Sequence, residues 1–154
     1  MLPIKNWAKP LRVGEVAIDR SRPLSDTGLV YVVGGNPAPD RDIKYCGSGH
    51  ATKSVDGLAR IGVLIAAMLG FRVYHSGGNK LYKAYPADRI NNFYVVWAPI
   101  EGCPILEERE LRQYYMNHPT ESPDFKRLDS GEPKRNRVCN KTCIPQDLGW
   151  NEKP

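Results

Sequence analysis

A small α/β (α+β) domain, with a three-stranded, mainly antiparallel sheet flanked by helices, is the fold class this sequence predicts. Three observations lead there. Short runs rich in β-branched and aromatic residues stand at 29–33 (LVYVV), 43–46 (IKYC) and 92–98 (NFYVVWA), the composition of strands. Helical patterns fill the spaces between and after them, an apolar one at 54–69 and a charged one at 105–116. The length of 154 residues, 41% of them hydrophobic and 25% charged, supplies one core and little for a second.

Taken in order, residues 1–27 read as an irregular extension, because Pro3, Pro10 and Pro23 interrupt any period. The strand at 29–33 is followed by the turn-rich GGNPAPDRD, and 43–46 then pairs back on it as an antiparallel hairpin, with Gly47 and Gly49 ending the second strand. Helix punctuation brackets 54–69: Ser54 can cap, Asp56 sits in the first turn, and Gly70 fits just past the end. Nearly every residue from 58 to 69 is apolar, which predicts a helix buried on most sides. Residues 71–74 read as a short extended piece, Gly77-Gly78 as a turn, and 79–85 as a short helix stopped by Pro86. After the strand at 92–98, the helix at 105–116 offers Leu106, Leu111, Tyr114 and Tyr115 for packing, and Asn117-His118-Pro119 stops it. The domain is expected to span 28–119, and 120–154 reads as a basic tail rich in Pro and Gly.

Charge and cysteine content narrow the partners. Lys and Arg number 22 against 17 Asp and Glu, a net +5 that leans towards polyanions. Between 126 and 141 six basic residues, Lys126, Arg127, Lys134, Arg135, Arg137 and Lys141, face two acidic ones, Asp129 and Glu132. The tail reads either as a flexible arm or as one that contacts phosphates. Uncharged apolar runs such as 61–71 fall short of the roughly 20 residues a membrane span needs, and residues 1–12 lack the apolar run of a secretory signal. An intracellular protein, cytoplasmic or nucleoid-associated, with reduced cysteines is therefore expected. Cys139 and Cys143 form a C-x3-C pair. The pair reads as half of a structural zinc site, to be completed by Cys46 or Cys103, or as two free thiols.

Some polar residues sit where the hydrophobic pattern does not ask for them. Tyr31 lies mid-strand and Tyr45 near a strand end. Arg60 is the single charge between Gly57 and Gly70, and Glu107, Glu108 and Glu110 cluster on the last helix. A charge in an apolar helix is costly unless paired or open to solvent. At these positions the sequence resembles the GIY-YIG nuclease family. Leu29-Val30-Tyr31 stands where the family's first tripeptide would be, and Tyr45-Cys46-Gly47 where the second would be. Arg60 lies on the following helix, NKLYKAYPADRINNFYVVWAPI looks like the family's middle region, and ILEERELRQYY resembles its glutamate-bearing helix. The likeness covers about residues 28–117. The chain departs from the pattern in lacking Gly and Ile in the first tripeptide, in carrying Cys46 for Ile, and in placing Arg60 15 residues beyond Tyr45.

The resemblance implies a metal-dependent DNA endonuclease that hydrolyses phosphodiester bonds with a Tyr/Tyr/Arg/Glu site. By that likeness Tyr31 is the base, Tyr45 orients the water or the phosphate, and Arg60 binds the scissile phosphate. Glu108, or failing it Glu110 and then Glu107, holds Mg²⁺ or Mn²⁺. The residue types suit the chemistry: one carboxylate can hold a hydrated Mg²⁺, and the guanidinium can stabilise phosphate charge. His50 and Lys53 read as phosphate contacts or as solvated loop, Asn117 stands where the family has a late asparagine, and His75 has no role. Two other readings remain open. One is a nucleic-acid-binding domain of the same fold without activity, and the other is a protein-interaction module whose basic tail takes an acidic partner.

Overall fold

A computed structural model of the chain describes residues 2–15, 28–49, 57–73 and 75–128. The strands are β1 (Leu11–Arg12), β2 (Gly28–Gly34), β3 (Ile43–Gly49) and β4 (Tyr94–Ile100). The helices are α1 (Gly57–Met68), α2 (Ser76–Ala84), α3 (Ala87–Ile90), α4 (Pro104–Met116) and α5 (Phe125–Leu128). The fold is mixed α/β, and the sheet has four strands where three were expected. Its order is β1-β4-β2-β3 and every pairing is antiparallel. The additional strand is β1, which pairs Leu11 with Val95 and Arg12 with Tyr94 at the margin of β4. Two residues following Pro10 are too few to show the alternation by which a strand is read.

β2 is the central strand, and all seven of its residues are buried. Its side chains alternate between two cores, as strand geometry requires. Leu29, Tyr31 and Val33 point to the layer of α1 and α2, with Ile61, Leu64, Met68 and Leu81. Val30 and Val32 point to the layer of α4, with Leu111, Tyr115 and Phe125. A sheet covered on both faces explains the continuous apolar reading of 29–33.

β3 does not end at Gly47 but continues to Gly49, pairing Tyr31 with Gly47 and Leu29 with Gly49. Glycine is a weak strand former, yet both of these face large neighbours. A Cβ on Gly47 would lie 2.6 Å from the Tyr31 hydroxyl, and one on Gly49 would lie 2.8 Å from Cγ of Arg60. At the other end of β3 the register shifts at Val33/Gly34, so Lys44 is an extra residue in the ladder.

α1 ends at Gly70, whose φ of +88° suits a left-handed cap. α2 begins at Ser76, earlier than the expected 79, because His75 caps it and lets the Gly77-Gly78 pair enter the helix. α4 starts with Pro104 in its first turn, where a missing N–H costs nothing. The described segments on either side of 28–119 join the core. Ile4 is buried and Trp7 packs in the α4 core, and α5 brings Phe125 into the same core. The folded unit therefore extends on both sides of 28–119. Among the described residues no helix is long and apolar enough to cross a membrane.

Candidate functional site

Three rings gather on the α1–α2 side of the hairpin formed by β2 and β3. The centroids of Tyr31 and Tyr45 are 6.2 Å apart, those of Tyr31 and His75 6.1 Å, and those of Tyr45 and His75 6.0 Å. Tyr31 is only 2% exposed. Its hydroxyl fits because Gly47 opposite it has no side chain, and the Tyr45 ring fits because Gly77 above it has none either.

His75 ties these rings to α2. Its Nδ1 accepts a hydrogen bond from the Gly78 N–H at 3.0 Å, which satisfies one of the open donors at the helix start. An accepting Nδ1 carries no proton, so the bonding pattern assigns a neutral ring protonated at Nε2. Nε2 lies 2.9 Å from the Tyr31 hydroxyl and therefore donates to the phenolic oxygen. Sequence reasoning gave His75 no role. The signal was there in a polar residue directly before Ser76-Gly77-Gly78, a capping position that the glycine pair disguised as a turn.

Arg60 stands on the same side. Tyr45, Gly47 and Gly49 alternate onto one face of β3, and the Arg60 stem lies over Gly49. Gly49 is two residues from Gly47, about 7 Å along a strand at roughly 3.3 Å per residue. The residue is exposed, so its guanidinium meets the requirement of an open position rather than a buried partner.

Glu108 is brought to the other side. Its burial is complete, at 0% exposed. One carboxylate oxygen accepts from the Ser48 hydroxyl at 2.7 Å, and the other accepts from Nε of Arg112 at 2.9 Å. Ser48 alternates with Gly47 and Gly49, so it faces the α4 layer. Arg112 also donates to the Cys46 carbonyl at 2.8 Å, and its guanidinium carbon lies 5.9 Å from the centroid of the Tyr45 ring. The edge of β3 thus links the two groups of residues through Arg112. Glu107 is half-buried and Glu110 exposed. Burial, and after it the charge of Glu110, pushes the Glu107 carboxyl above its ordinary range.

A second buried charge sits at the start of β3. The bulge aims Lys44 inward, where Nζ binds Asp42 at 2.6 Å and Asp124 at 2.7 Å and lies 5.5 Å from the Tyr85 ring centroid. The Tyr85 hydroxyl donates to the same Asp124 oxygen at 2.9 Å. Burial alone would lower the Lys44 value, but the bonds to Asp124 and Asp42 outweigh it and raise it. For Asp124 the Lys44 bond outweighs burial and holds the carboxyl below its ordinary range. This is a structural network, and it was not visible in the sequence because a bulge decides where Lys44 points.

Mg²⁺ and Mn²⁺ prefer oxygen ligands, and Mg²⁺ keeps several of its waters. Both oxygens of Glu108 are engaged and the residue has no exposure. Among the described residues no group of three or more His, Cys, Asp and Glu stands together to hold a metal ion. As arranged, these residues do not fit a hydrated divalent cation. Cys103 is disulfide-bonded, which runs against the expectation of reduced cysteines and leaves it no thiolate for zinc. Cys46 is buried under α4 and takes no part in that bond. His50, Lys53, Lys134, Arg135, Arg137, Cys139 and Cys143 lie outside the described residues. Lys126 and Arg127 are exposed on α5, beside the Lys44 network rather than the tyrosines.

No family model, no curated protein and no solved structure matches this chain.

Proposed function

We propose that this chain is a nucleic-acid-processing domain that binds DNA on the α1–α2 side of its sheet and hydrolyses phosphodiester bonds there, as GIY-YIG nucleases do. The observation that carries this reading is the convergence of Tyr31, Tyr45, His75 and Arg60 on one side of β2 and β3.

Each group has a task it is built for. Arg60, exposed and anchored by its stem over Gly49, binds the phosphate by charge-assisted hydrogen bonds. The His75 Nε2–H donates to the Tyr31 oxygen and would stabilise a phenolate there; once the phenolic proton has passed to solvent, that phenolate can take a proton from an attacking water. Tyr45 packs beside Tyr31 and restricts where that water stands. The glycines at 47 and 49 make room for the Tyr31 hydroxyl and for the Arg60 stem, which brings both residues to the same face of β3. In this role His75 is a positioning residue.

A second reading, the same fold binding DNA without cutting it, is favoured by one observation. Glu108, the residue the resemblance assigns to a metal, is committed to Ser48 and Arg112. The third, a protein-interaction module, draws on the basic tail and on the exposed Leu69, Phe71, Val73 and Tyr82.

Nicking of supercoiled plasmid, with Mg²⁺, with Mn²⁺ and with EDTA, tests the proposal. Relaxed circles formed by the wild-type chain and lost in Arg60→Ala support hydrolysis. DNA binding without nicking in any of the three buffers supports the second reading. Absence of salt-sensitive DNA binding removes both, since phosphate contacts weaken steeply with salt.

A further inference from the structure

We infer that the turn between α1 and α2 is a stacking platform for unpaired bases, so that the nucleic acid taken by this side of the sheet is single-stranded DNA or a duplex with an unpaired segment. This rests on the reading that the α1–α2 side binds DNA, and it specifies the substrate class.

The turn is well defined. The Gly70 N–H donates to the Ala67 carbonyl at 3.1 Å, and the Phe71 N–H donates to the Ala66 carbonyl at 3.0 Å. These are the two bonds of a Schellman ending. In that motif the apolar residue after the glycine usually folds back onto the helix. Here Phe71 is 65% exposed instead. A further bond from the Val73 N–H to the Phe71 carbonyl, at 2.8 Å, holds the backbone that presents the ring. Tyr82, 52% exposed, stands against Gly70, with its ring edge so close that a Cβ on Gly70 would lie 2.7 Å from it. Two exposed aromatic residues therefore stand close to one glycine in sequence or space, with Leu69 and Val73 exposed beside them.

The charges around them choose the occupant. Residues 57–87 contain Arg60, Arg72, Lys80 and Lys83 and not a single Asp or Glu. Arg72 adjoins Phe71, Lys83 adjoins Tyr82, and Arg72, Lys80 and Lys83 are all exposed. An apolar protein partner gains nothing from an unbroken set of cations. A strand with π-faces and phosphates matches both features, which is the general design of single-strand binding surfaces. Paired bases inside a duplex do not offer their faces to a side chain, so stacking selects unpaired ones. Tyr82 lies seven residues from His75 along α2. At about 1.5 Å per residue that is roughly 10 Å, or about three base steps at 3.4 Å, within reach of one short stretch of strand.

The experiment is fluorescence anisotropy with one labelled oligonucleotide, offered single-stranded and as its full duplex, against the intact chain and its variants. The wild-type chain should bind the single strand more tightly. Phe71→Ala and Tyr82→Ala should each weaken single-strand binding about 10-fold, within the range for loss of one base–aromatic stack, and leave duplex binding within about 2-fold. Phe71→Trp should restore the affinity. Tm should be unmoved, because both rings are exposed. Lys83→Ala should instead flatten the salt dependence for both forms of DNA. Equal affinity for both forms, indifferent to Phe71 and Tyr82, overturns this inference while leaving the parent reading intact. A chain that binds neither form removes both. A dimer that dissociates in Phe71→Ala with DNA affinity unchanged assigns the rings to self-association and overturns the inference as well.

Discussion

The two sides of the sheet handle polar residues in opposite ways. On the α4 side, charge is taken out of water and neutralised. Glu108 and Arg112 satisfy one another, with Ser48 and the Cys46 carbonyl completing the set. On the α1–α2 side, charge is left at the surface and unbalanced, with four cations and no acid over 57–87. One buried polar contact there, between His75 and Tyr31, is neutral. A buried ion pair contributes little net stability but is expensive to break. An exposed cation contributes little either way and stays available to a ligand. The difference teaches which charged residues maintain the fold and which are free to act on something else.

The largest effect expected from this contrast is Glu108→Ala. It removes the carboxylate that accepts from Nε of the buried Arg112, and breaking one member of such a pair costs about 3–5 kcal/mol. Urea denaturation reads this directly. An unchanged midpoint would mean that Glu108 is not holding α4 to β3, and would return it to the candidates for a metal ligand.

The Lys44 network should give the next effect, and it carries a pH signature. The Asp124 carboxyl is held below the ordinary aspartate value of 3.8, chiefly by the Lys44 bond. Its contribution is therefore present above that value and is lost as pH falls through it towards the lower folded value. Lys44 lies above its ordinary 10.5, so its own contribution is complete below that point and lost as pH rises past the folded value. Thermal melts from pH 7 down to pH 2 should show a decline that is shallower in Asp124→Asn. Identical slopes in the two proteins would place the acid sensitivity elsewhere.

His75 should separate stability from chemistry. His75→Ala removes a helix cap worth about 0.5–2 kcal/mol together with the donor to Tyr31. His75→Asn can cap but is too short to keep the Tyr31 bond. The asparagine variant should recover most of the melting temperature while nicking, and its dependence on pH, stay altered. Recovery of both by asparagine would reduce His75 to a cap.

Arg60→Ala should have the smallest effect on stability, within about 0.5 kcal/mol for an exposed residue away from special features. Loss of such a phosphate donor should nevertheless lower the nicking rate by about 10²–10³. A melting temperature that drops along with activity would place Arg60 in the fold rather than at the ligand.

Much of this contrast was legible in the residues. The β-branched and aromatic content of 29–33 marked β2, the apolar run of 58–69 marked α1, and Arg60 stood out because nothing in that helix called for a charge. Other features depend on contacts distant in sequence. β1 has two residues, too few to show a period. Gly47 and Gly49 read as strand breakers because the rings and the arginine stem that need their bare backbone come from β2 and α1. Phe125 lies in a stretch rich in Pro and charge, and it is recruited only because Ser122 and Asp124 find partners on β3. Glu108 is the instructive case. Glu108, Leu111, Arg112 and Tyr115 follow the i, i+3, i+4, i+7 spacing of one helix face and are all buried. The spacing already placed Glu108 with the core residues rather than with Glu110, but a charge among apolar positions draws attention to chemistry before geometry.

One consequence follows from β3 being the last strand of the sheet. A bare sheet margin invites a foreign strand to add on, and chains that leave one open are prone to aggregate. This margin is occupied at its start and near its middle by groups that are not strands. The Asp42 N–H donates to the Glu121 carbonyl at 2.7 Å and the Ile43 N–H to the Ser122 hydroxyl at 2.9 Å, while Arg112 covers the Cys46 carbonyl. An incoming chain finds those hydrogen-bonding positions taken, so the short segment after α4 and one arginine shorten the stretch of margin on which a foreign strand could add.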